Sequence, residues 1–552
     1  MSIDKTLITR RKLLSITAIT SVAFAIGAMP TMAGTTHSLS ENKKTSAKHT
    51  RNPPSKIEPD VIIVGGGSAG AVLAARLSEK TNRNVLLLEA GHAPDSFNNP
   101  RIISNSDIVG ANLNPEYEWG YKTEKGYINH PIGAIRGKVL GGSSAINGAV
   151  AIRARPEDFK RWNLPGWGYD DLLPSFKKLE NRHGGNNAIH GRNGPLPIIQ
   201  LSKTDITPMQ QAFMKATVAN GFKEIDDFDG TDANGVGPYP MNIVNGVRVN
   251  TGIAYLTDTV RARPNLTIRA DSMVDRVIFD GKKAIGVRLA NGKEIHGTEV
   301  ILSAGSYGSA AILLRSGVGP AEQSKKLSIP IVADLPVGLN LMDHPFYYNA
   351  YAARPDVIGD QSPVIGAKLW THSSTAKAGE LDLHITATHL FPHEMSPTKV
   401  GFVLAVALTR PISRGRIWIE SKDPLVAPKI DLNFLGAPQD RTRLLEGIKL
   451  ARQIGKTEPL SNLIHSELTP AADSDEAILA SVRSTLDTYH HPTSTAPMGL
   501  VDDPNAVVDL QAKVHGLSGL RVVDASIFPD VPSVATNITV IATAEHIASL
   551  YR

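Results

Sequence analysis

A run of four apolar residues, Val61–Val64, is followed by a glycine-rich turn and then by a segment with helical periodicity. The run is rich in β-branched residues and has no polar break, which predicts a strand buried on both faces of a parallel sheet. The helix is predicted from about Ser68 to Lys80, and a second strand covers Val85–Leu88. This order of strand, turn, helix and strand predicts a Rossmann-type unit.

The hydrophobic period changes to two further along the chain. Residues 273–296 alternate and are interrupted by Asp280-Gly281 and Asn291-Gly292, both strong hairpin turns, so they predict an antiparallel meander. Thr298–Leu302 predicts another buried strand, and a helix is predicted from about Ser309 to Arg315.

Alternating runs also recur between about Pro345 and Tyr489, at Leu383–Thr388, Gly401–Leu408 and Arg416–Ile419. They predict a second, antiparallel sheet with helices beside it, one of which spans about Asp440–Ile454. The pattern therefore predicts two parts: an α/β part with a parallel sheet and a β-meander, and an α+β part built on an antiparallel sheet flanked by helices.

Helices and loops are predicted outside these sheets as well. Helical periodicity begins at Asp170-Asp171, and a long loop is predicted over Asn181–Gly194, where glycines and asparagines cluster. Near the C-terminus, Leu520–Asp524 predicts a strand and about Thr539–Tyr551 predicts the last helix.

The turn after the first strand carries candidate chemistry, because its glycines form G-x-G-x-x-G. The first glycine allows a tight turn, the second lets the backbone approach a pyrophosphate, and the third lets the helix pack closely on the strand. An acidic residue that could bind ribose hydroxyls ends the second strand. The predicted cofactor contacts are Gly65, Gly67, Ser68, Ala69, Gly70, Glu89 and Ala90. This geometry serves FAD and NAD alike.

A second glycine–serine loop, Arg136–Val150, leads into a predicted helix. Its small residues would let the backbone approach a ligand, and its serine and asparagine side chains could hydrogen-bond that ligand. An ordinary glycine–serine turn fits this segment equally well.

Length and composition narrow the class of protein. A chain of 552 residues with 41% hydrophobic and 20% charged residues is globular and too long for one core, so two or more domains are predicted. The chain has no cysteine, which excludes disulfides, thiolate metal sites, iron–sulfur clusters and cysteine nucleophiles. His384 and His389 are predicted on opposite faces of a strand, so no metal site is expected.

The net charge of +5 comes from the N-terminal residues. Residues 1–33 carry +3 and residues 34–56 carry +4, which leaves −2 for the remaining chain. The body of the protein is therefore close to neutral. It shows no basic patch with interleaved aromatic residues, so no nucleic-acid binding is predicted.

Residues 1–33 follow the plan of an export signal, with a basic start, an apolar middle and small residues at the end. The pair Arg10-Arg11 is typical of a twin-arginine signal, which would make the twin-arginine export machinery a partner and the protein periplasmic or secreted. An uncleaved membrane anchor, or a general secretory signal with a chance arginine pair, is the alternative. Residues 34–56 are polar and basic and predict a disordered linker.

Residues 57–552 resemble the glucose–methanol–choline (GMC) oxidoreductase family nearly throughout. Six segments carry the resemblance: VIIVGGGSAGAVLAARL with VLLLEAG, RGKVLGGSSAINGAV, SAGSYGSAAILLRSGVGP, VGLNLMDHP, YHHPTSTAPMG, and LRVVDASIFPDVPSVATNITVIATAEHIA. Within the family, the sequence is most similar to the choline dehydrogenase and the aryl-alcohol or hydroxymethylfurfural oxidase types.

The resemblance implies that FAD drives a two-electron oxidation of a small-molecule alcohol to an aldehyde or ketone. It implies a Rossmann-type FAD-binding domain, assigned to residues 57–158, 231–344 and 496–552, and a substrate-binding domain, assigned to residues 159–230 and 345–495. The further flavin contacts that it implies are Ser143, Asn147, Gly148, Val150, Val274, Asp524, Ala525 and Ile538. Some members attach FAD to a histidine at the position of Ile146, so non-covalent FAD is expected here.

The family's catalytic base lies in the pattern His-Pro-x-Gly-Thr-x-x-Met-Gly, which begins at His491 in this chain. The preceding residue is also a histidine, His490, and Ser494 stands where the pattern has glycine. The partner position falls at Asn537. A neutral imidazole can accept the alcohol proton while hydride leaves for flavin, and an asparagine amide can donate to the developing alkoxide. The predicted catalytic pair is therefore His491 and Asn537.

Two questions stay open at the level of sequence. Hydroxynitrile lyases of the same fold keep FAD without net redox chemistry and are the alternative to alcohol oxidation, whereas a light-driven decarboxylase would need the missing cysteine. The electron acceptor is dioxygen, a quinone or a cytochrome, and the sequence does not define the alcohol.

Overall fold

The computed structural model describes residues 58–551. The expected signal peptide, residues 1–33, and the expected linker, residues 34–56, lie outside the described residues. Within residues 58–551, no helix is both long and apolar enough to span a bilayer.

The described residues form strands and helices that are numbered here in chain order. The strands are β1 (Val61–Val64), β2 (Val85–Leu88), β3 (Glu180–Arg182), β4 (Leu196–Gln200), β5 (Gly235–Pro238), β6 (Pro240–Met241), β7 (Ile243–Val244), β8 (Val247–Arg248), β9 (Leu266–Arg269), β10 (Val274–Asp280), β11 (Lys283–Leu289), β12 (Glu294–His296), β13 (Glu299–Leu302), β14 (Pro345–Ala353), β15 (Ile365–Thr371), β16 (Leu383–Thr388), β17 (Gly401–Leu408), β18 (Arg416–Trp418), β19 (Lys429–Asp431), β20 (Ile464–Thr469), β21 (Asp487–Thr488) and β22 (Leu520–Val522). The α-helices are α1 (Ser68–Leu77), α2 (Arg101–Ser104), α3 (Pro156–Trp162), α4 (Tyr169–Leu179), α5 (Pro208–Ala219), α6 (Thr251–Ala254), α7 (Asp258–Arg261), α8 (Gly305–Arg315), α9 (Ala321–Lys326), α10 (Pro438–Gly455), α11 (Asp475–Thr485) and α12 (Asn537–Ser549).

Five parallel strands form the sheet that carries the glycine-rich turn. Their order is β22-β13-β1-β2-β9, with Val61 of β1 paired to Glu299 on one side and to Val85 on the other. β1 and β2 are buried along their whole length, as their unbroken apolar runs predict. Helix α1 packs on both strands and on α12. The predicted Rossmann-type unit with a parallel sheet is confirmed.

Residues 274–296 form the predicted meander. β10, β11 and β12 pair antiparallel in that order. Both hairpin turns contain a glycine in the left-handed region, Gly281 at φ +56 and Gly292 at φ +85. The Asp-Gly and Asn-Gly signals therefore predicted the right turns, because side chains larger than glycine rarely adopt this conformation.

A seven-stranded antiparallel sheet forms the second part of the protein and contains two of the three predicted alternating runs, Leu383–Thr388 and Gly401–Leu408. The third run, Arg416–Ile419, forms β18 instead, which pairs with β19 in a separate two-stranded sheet. The order of the seven-stranded sheet is β20-β14-β17-β16-β15-β5, and β21 also pairs with β14. Helices α5 and α10 pack on it. Tyr347 of β14 hydrogen-bonds Ser481 of α11 (2.8 Å), whereas its neighbours Phe346 and Tyr348 lie on the opposite face of the strand.

Element boundaries differ from the sequence prediction where distant residues intervene. Helix α8 begins at Gly305 rather than near Ser309, because the Asp524 carboxylate accepts hydrogen bonds from Gly305 N (2.9 Å) and from Ser309 Oγ (2.6 Å). That carboxylate belongs to a far part of the chain, so the local pattern does not reveal it. The first two residues of the predicted loop Asn181–Gly194 also belong to a short strand, β3, which pairs with β4.

A buried carboxylate joins three helices near the parallel sheet. The Glu545 side chain of α12 is fully buried and accepts hydrogen bonds from Arg76 of α1 (2.7 Å), Lys178 of α4 (2.9 Å) and the Tyr255 hydroxyl (2.9 Å). Since these donors come from separate segments, the contact fixes the position of α12 on α1.

Replacing this carboxylate by an amide is expected to destabilise the fold. Glu545→Gln leaves the charges of Arg76 and Lys178 without their buried counterion, which costs about 3 kcal/mol. The matched control is Glu79→Gln, because Glu79 also pairs with Arg76 (2.9 Å) but is half-exposed, and surface pairs contribute below about 1 kcal/mol. Chemical denaturation measures how much unfolding free energy each variant loses. Equal losses in the two variants would contradict this role of Glu545.

Candidate functional site: a cavity between the two sheets

A cavity of about 650 Å³ extends from the glycine-rich turn of the parallel sheet to the antiparallel sheet. Most sequence-predicted site residues line it, namely Gly65, Gly67, Ser68, Ala69, Glu89, Ala90, Ser143, Asn147, Gly148, Val150, Val274, His491, Asp524, Ala525 and Asn537. Gly70 and Ile538 do not line it. Ile538 is buried in the core beside the cavity.

The three glycines of the turn have different surroundings. A Cβ on Gly65 would lie 2.6 Å from the Ser303 carbonyl oxygen, and a Cβ on Gly70 would lie 1.9 Å from the Gly65 carbonyl oxygen. Both positions are therefore needed for close backbone packing. A Cβ on Gly67 would meet only Gly142 Cα, at 3.7 Å, and this glycine borders the cavity. Because Gly67 has no side chain, a ligand in the cavity can approach its backbone.

Glu89 lies at the end of β2 with its carboxylate held by backbone. Gly66 N donates to Oε2 and Gly91 N donates to Oε1, both at 2.8 Å. Burial raises the pKa of this carboxyl group, while the two backbone donors act in the opposite direction. The side chain is thus fixed on the cavity wall as an acceptor for ligand hydroxyls.

The second glycine–serine loop lines the same cavity beside the dinucleotide turn. Gly142–Ala145 make one turn of 3₁₀-helix rather than opening a longer helix, and Gly142 lies next to Gly67. Gly137 N donates to Ser143 Oγ (3.2 Å), and Ala149 N donates to Asn147 Oδ1 (2.9 Å). The predicted ligand loop is therefore next to the dinucleotide turn.

Polar atoms without partners mark this cavity as a site for a polar ligand. Ser303 Oγ and His490 Nδ1 are buried, line the cavity, and have no hydrogen-bond partner in the described part of the chain. Buried polar atoms are normally hydrogen-bonded. A dinucleotide fits these features together: the turn that passes close to Gly142, the open space at Gly67 and the free polar atoms.

His491 lies at the antiparallel-sheet end of the cavity. Its backbone N donates to Asp343 Oδ1 (2.8 Å), and its ring Nδ1 is 3.0 Å from Nδ1 of His344. Asp343 also accepts from His344 N (2.7 Å) and from Thr488 Oγ1 (2.7 Å). The Asp343-His344 pair therefore positions both the backbone and the ring of His491.

Both rings of this histidine pair are neutral near pH 7. Burial lowers the pKa of His491 well below its usual value, with the neighbouring His344 and Arg136 acting in the same direction. Burial likewise lowers the pKa of His344 to about 3. A neutral imidazole has one lone pair, which allows His491 to act as a base.

Asn537 begins α12 and lines the cavity, and its side chain is hydrogen-bonded to Ser68 rather than to His491. Ser68 Oγ donates to Asn537 Oδ1 (2.7 Å), which links the N-termini of α1 and α12. With its oxygen engaged, the amide has Nδ2 as its remaining donor group. The ring partner of His491 is His344, which the sequence prediction of a His491–Asn537 pair missed.

Ser494 stands where the family pattern has glycine, and its backbone adopts a conformation that is usual for glycine. Ser494 has φ +67, in the left-handed region, and is fully buried. Its N donates to the Ala525 carbonyl (3.1 Å), and its Oγ donates to Thr493 Oγ1 (2.9 Å). These hydrogen bonds hold the conformation that glycine would adopt without strain.

Several site residues were not singled out from the sequence. Arg136 lines the cavity beside His491 and donates from Nη2 to the His490 carbonyl (2.7 Å). Phe346, Tyr348 and Tyr489 line the same end. For His344, the sequence offered one signal. The adjacent polar residues Asp343 and His344 follow a mostly apolar segment in VGLNLMDHP.

Candidate metal ligands lie away from the cavity wall. His190, Asp227 and Asp229 place ligand atoms within 4.8 Å of one another, but Arg182 pairs with both carboxylates at 3.0 Å and takes the place of a cation. His384 and His389 have separate partners, Lys368 (3.4 Å) and Thr207 (2.9 Å).

Comparison with known proteins identifies the family. Two family models described as GMC oxidoreductase match, one over residues 59–346 and the other over residues 411–544. The chain belongs to the GMC oxidoreductase family. The resemblance noted in the sequence is thereby confirmed, and the protein is an FAD-dependent oxidoreductase of the class that acts on CH–OH donors.

Relatives within the GMC family cover most of the chain. An oxygen-dependent choline dehydrogenase of Pseudomonas savastanoi pv. phaseolicola is 38% identical and covers 90% of this chain and 94% of its own. One from Yersinia pseudotuberculosis is 37% identical with the same coverage. Among solved structures, pyridoxine 4-oxidase from Mesorbium loti has a TM-score of 0.82 at 32% identity, covering 90% of this chain and 99% of its own. Formate oxidase of Aspergillus oryzae has a TM-score of 0.80 at 26% identity, covering 89% and 97%.

Proposed function

We propose that this GMC oxidoreductase oxidises an alcohol to an aldehyde or ketone, with His491 as the base that accepts the hydroxyl proton. FAD, when bound, supplies the hydride acceptor. The observation that supports the proposal best is the short contact between Nδ1 of His491 and Nδ1 of His344 (3.0 Å), because it occupies one nitrogen of His491 and leaves Nε2 for the substrate.

The direction of this hydrogen bond decides whether Nε2 of His491 is a base. Two neutral rings in contact require one donor and one acceptor. Burial lowers the pKa of the His344 ring and the Pro532 carbonyl acts in the opposite direction, although Nε2 of His344 makes no hydrogen bond among the described residues. We propose that the proton of the His344 ring is on Nε2, the nitrogen that does not face His491, which makes Nδ1 the acceptor. His491 then donates from Nδ1 and keeps the lone pair on Nε2.

The remaining residues hold the reactants. His344 accepts the hydrogen bond from His491 more strongly once His491 has gained a proton, since the donor is then charged. Asn537 can donate from Nδ2 to a developing alkoxide, because its oxygen is held by Ser68. Gly65, Gly67, Ser143 and Glu89 would hold FAD. Ile146 has only a hydrocarbon side chain on the cavity wall, so we propose that FAD is non-covalent.

Anaerobic addition of alcohols tests the proposed reaction. Alcohol oxidation must bleach the yellow flavin band, with one aldehyde or ketone formed per flavin reduced. Release of hydrogen cyanide and an aldehyde from a cyanohydrin, without bleaching, would instead establish a hydroxynitrile lyase. Reoxidation of the reduced enzyme by dioxygen, a quinone or a cytochrome then identifies the electron acceptor by its rate.

We further propose that the twin-arginine machinery exports the protein to the periplasm or the medium, on the strength of Arg10-Arg11 and the apolar stretch that follows. That route carries folded proteins and would allow flavin to be loaded first. Replacing both arginines by lysine is expected to leave precursor in the cytoplasm, as measured by fractionation. Unchanged export of the lysine variant would overturn this assignment.

A further inference from the structure

Four consecutive residues beside the cavity have a left-handed backbone. Gly110, Ala111, Asn112 and Leu113 have φ values of +69, +48, +49 and +58, and the first of them lines the cavity together with Val109. Only glycine adopts this region freely, and runs of such residues are rare because the Cβ atom approaches the following carbonyl oxygen. Strained backbone of this kind persists only where the surrounding structure holds it in place.

A fully buried arginine holds the chain just before this turn. Arg248 donates from Nη1 to the carbonyl oxygens of Ile103 (2.6 Å) and Ala145 (2.9 Å). Its Nη2 donates to the carbonyl oxygen of Ile108 (2.6 Å). Burial lowers the pKa of Arg248 to about 10, and the nearby Asp107 acts in the opposite direction, so the guanidinium stays charged near pH 7. Because Ala145 belongs to the second glycine–serine loop, this arginine fastens the segment before the turn to that loop.

Two further contacts tie the same segment to both parts of the protein. Gly110 N donates to the carbonyl oxygen of Ile146, a cavity-lining residue of the glycine–serine loop (2.7 Å). The Asp107 carboxylate accepts from Val364 N (3.0 Å), which directly precedes β15 of the antiparallel sheet. We call residues 103–113 the strap, because they are bonded to the loop at one point and to the antiparallel-sheet part at another.

The strap packs in a small apolar cluster of its own. Ile103 and Ala111 are fully buried against Ile146 and its neighbours, whereas the residues of β1, α1 and α12 belong to the main core. The wall at Val109 and Gly110 thus combines strained backbone with a small core. Segments with few apolar contacts open locally at a lower free energy than the main core does.

These features indicate how the cofactor is held. We propose that the strap retains FAD in the cavity and opens when FAD dissociates, and that Arg248 is the positioning residue that keeps it closed. The inference rests on the proposed non-covalent binding of FAD, but not on the identity of the alcohol. It predicts that the FAD dissociation rate responds to changes in the strap that remove no contact with the cofactor.

Substitutions of Asn112 test the strap through its backbone, because this residue is exposed. Asn112→Val places a β-branched residue at φ +49, and is expected to raise the FAD dissociation rate about fivefold to tenfold. Asn112→Gly relieves strain and is expected to have a rate at or below that of the wild type. The rate is measured by exchange of bound FAD for a large excess of isotope-labelled FAD, followed by mass spectrometry.

Asn163→Val is the matched control. Asn163 is also exposed and has φ +50, but it caps the C-terminus of α3 and lies outside the strap and the cavity wall. The control variant is expected to lower the melting temperature of the apoprotein and to leave the FAD dissociation rate unchanged. A rise in that rate equal to the rise in Asn112→Val would show general destabilisation and overturn the role of the strap.

Arg248→Met tests the positioning residue itself. It removes the donor of three backbone carbonyls while keeping an unbranched side chain, and is expected to raise the FAD dissociation rate at least about tenfold. If this variant does not fold, the two Asn112 variants decide.

The outcomes separate this inference from the proposal on which it rests. FAD that stays attached to acid-denatured protein overturns non-covalent binding, and with it the strap as the element that retains FAD. FAD that is released by acid, but dissociates at the wild-type rate from Asn112→Val, overturns the strap alone. Both results are independent of whether an alcohol bleaches the flavin.

Discussion

His491→Ala is expected to bind FAD in the normal amount and to lose about 10³-fold of the rate of alcohol-driven flavin reduction. The loss follows from removing the base, since a positioned general base contributes roughly 10²- to 10⁴-fold. Flavin should be retained because the contacts of the His491 ring are with His344 and Tyr489 rather than with residues of the dinucleotide turn. The measurement is single-turnover reduction without dioxygen at saturating alcohol.

Variants of the two neighbouring histidines test the same assignment. His490 also lines the cavity, but its Nδ1 has no partner among the described residues, and His490→Ala is expected to lose less than about tenfold. His344→Ala should fall between the two, because it removes only the acceptor that fixes the His491 tautomer. A larger loss in His490→Ala than in His491→Ala would transfer the role of base to His490.

The pH dependence of flavin reduction should reflect the buried histidine. Burial lowers the pKa of His491, so its neutral, basic form persists on acidification through its usual titration range. The rate should therefore stay level between about pH 8 and pH 6.5 and decline only at lower pH. Rates of flavin reduction measured across this range test whether the pKa of His491 is lowered. A decline centred at or above pH 6.5 would contradict the lowered pKa.

Gly67→Val is expected to fold and to lose FAD. Gly67 has φ −77, which any residue adopts, and a Cβ there meets no protein atom closer than 3.7 Å. The added methyl groups instead enter the cavity where the turn faces the cofactor. We expect the Kd for FAD to rise at least about 100-fold, or about 2.7 kcal/mol, which lies within the usual cost of overpacking. Titration of the apoprotein with FAD measures the change.

Gly70→Ala provides the contrast for this prediction. Its Cβ would lie 1.9 Å from a carbonyl oxygen of the turn, so the backbone itself must shift and the melting temperature should fall. Gly67→Val should melt close to the wild-type apoprotein. Normal flavin content in Gly67→Val would show that the cofactor does not pass this glycine.

The parallel sheet, the meander and the antiparallel sheet could be predicted because their signals are local. Unbroken apolar strands such as Val61–Val64 and turns such as Asn291-Gly292 specify their own conformation over a few residues. The start of α8 could not be predicted, because the group that accepts the hydrogen bond from its first N–H is the Asp524 carboxylate, far away in the chain. The assigned domain boundaries remain a prediction.

The sequence by itself determined the family, the dinucleotide turn and the histidine that we assign as base, because each depends on residue types at fixed local spacing. Only the tertiary structure decided which groups surround that histidine. His344 and Phe346 are more than a hundred residues away from His491 in the chain, and the pairing of β14 with β21 brings them beside it. Side-chain contacts of this kind depend on strand pairing and packing, which local sequence patterns do not encode.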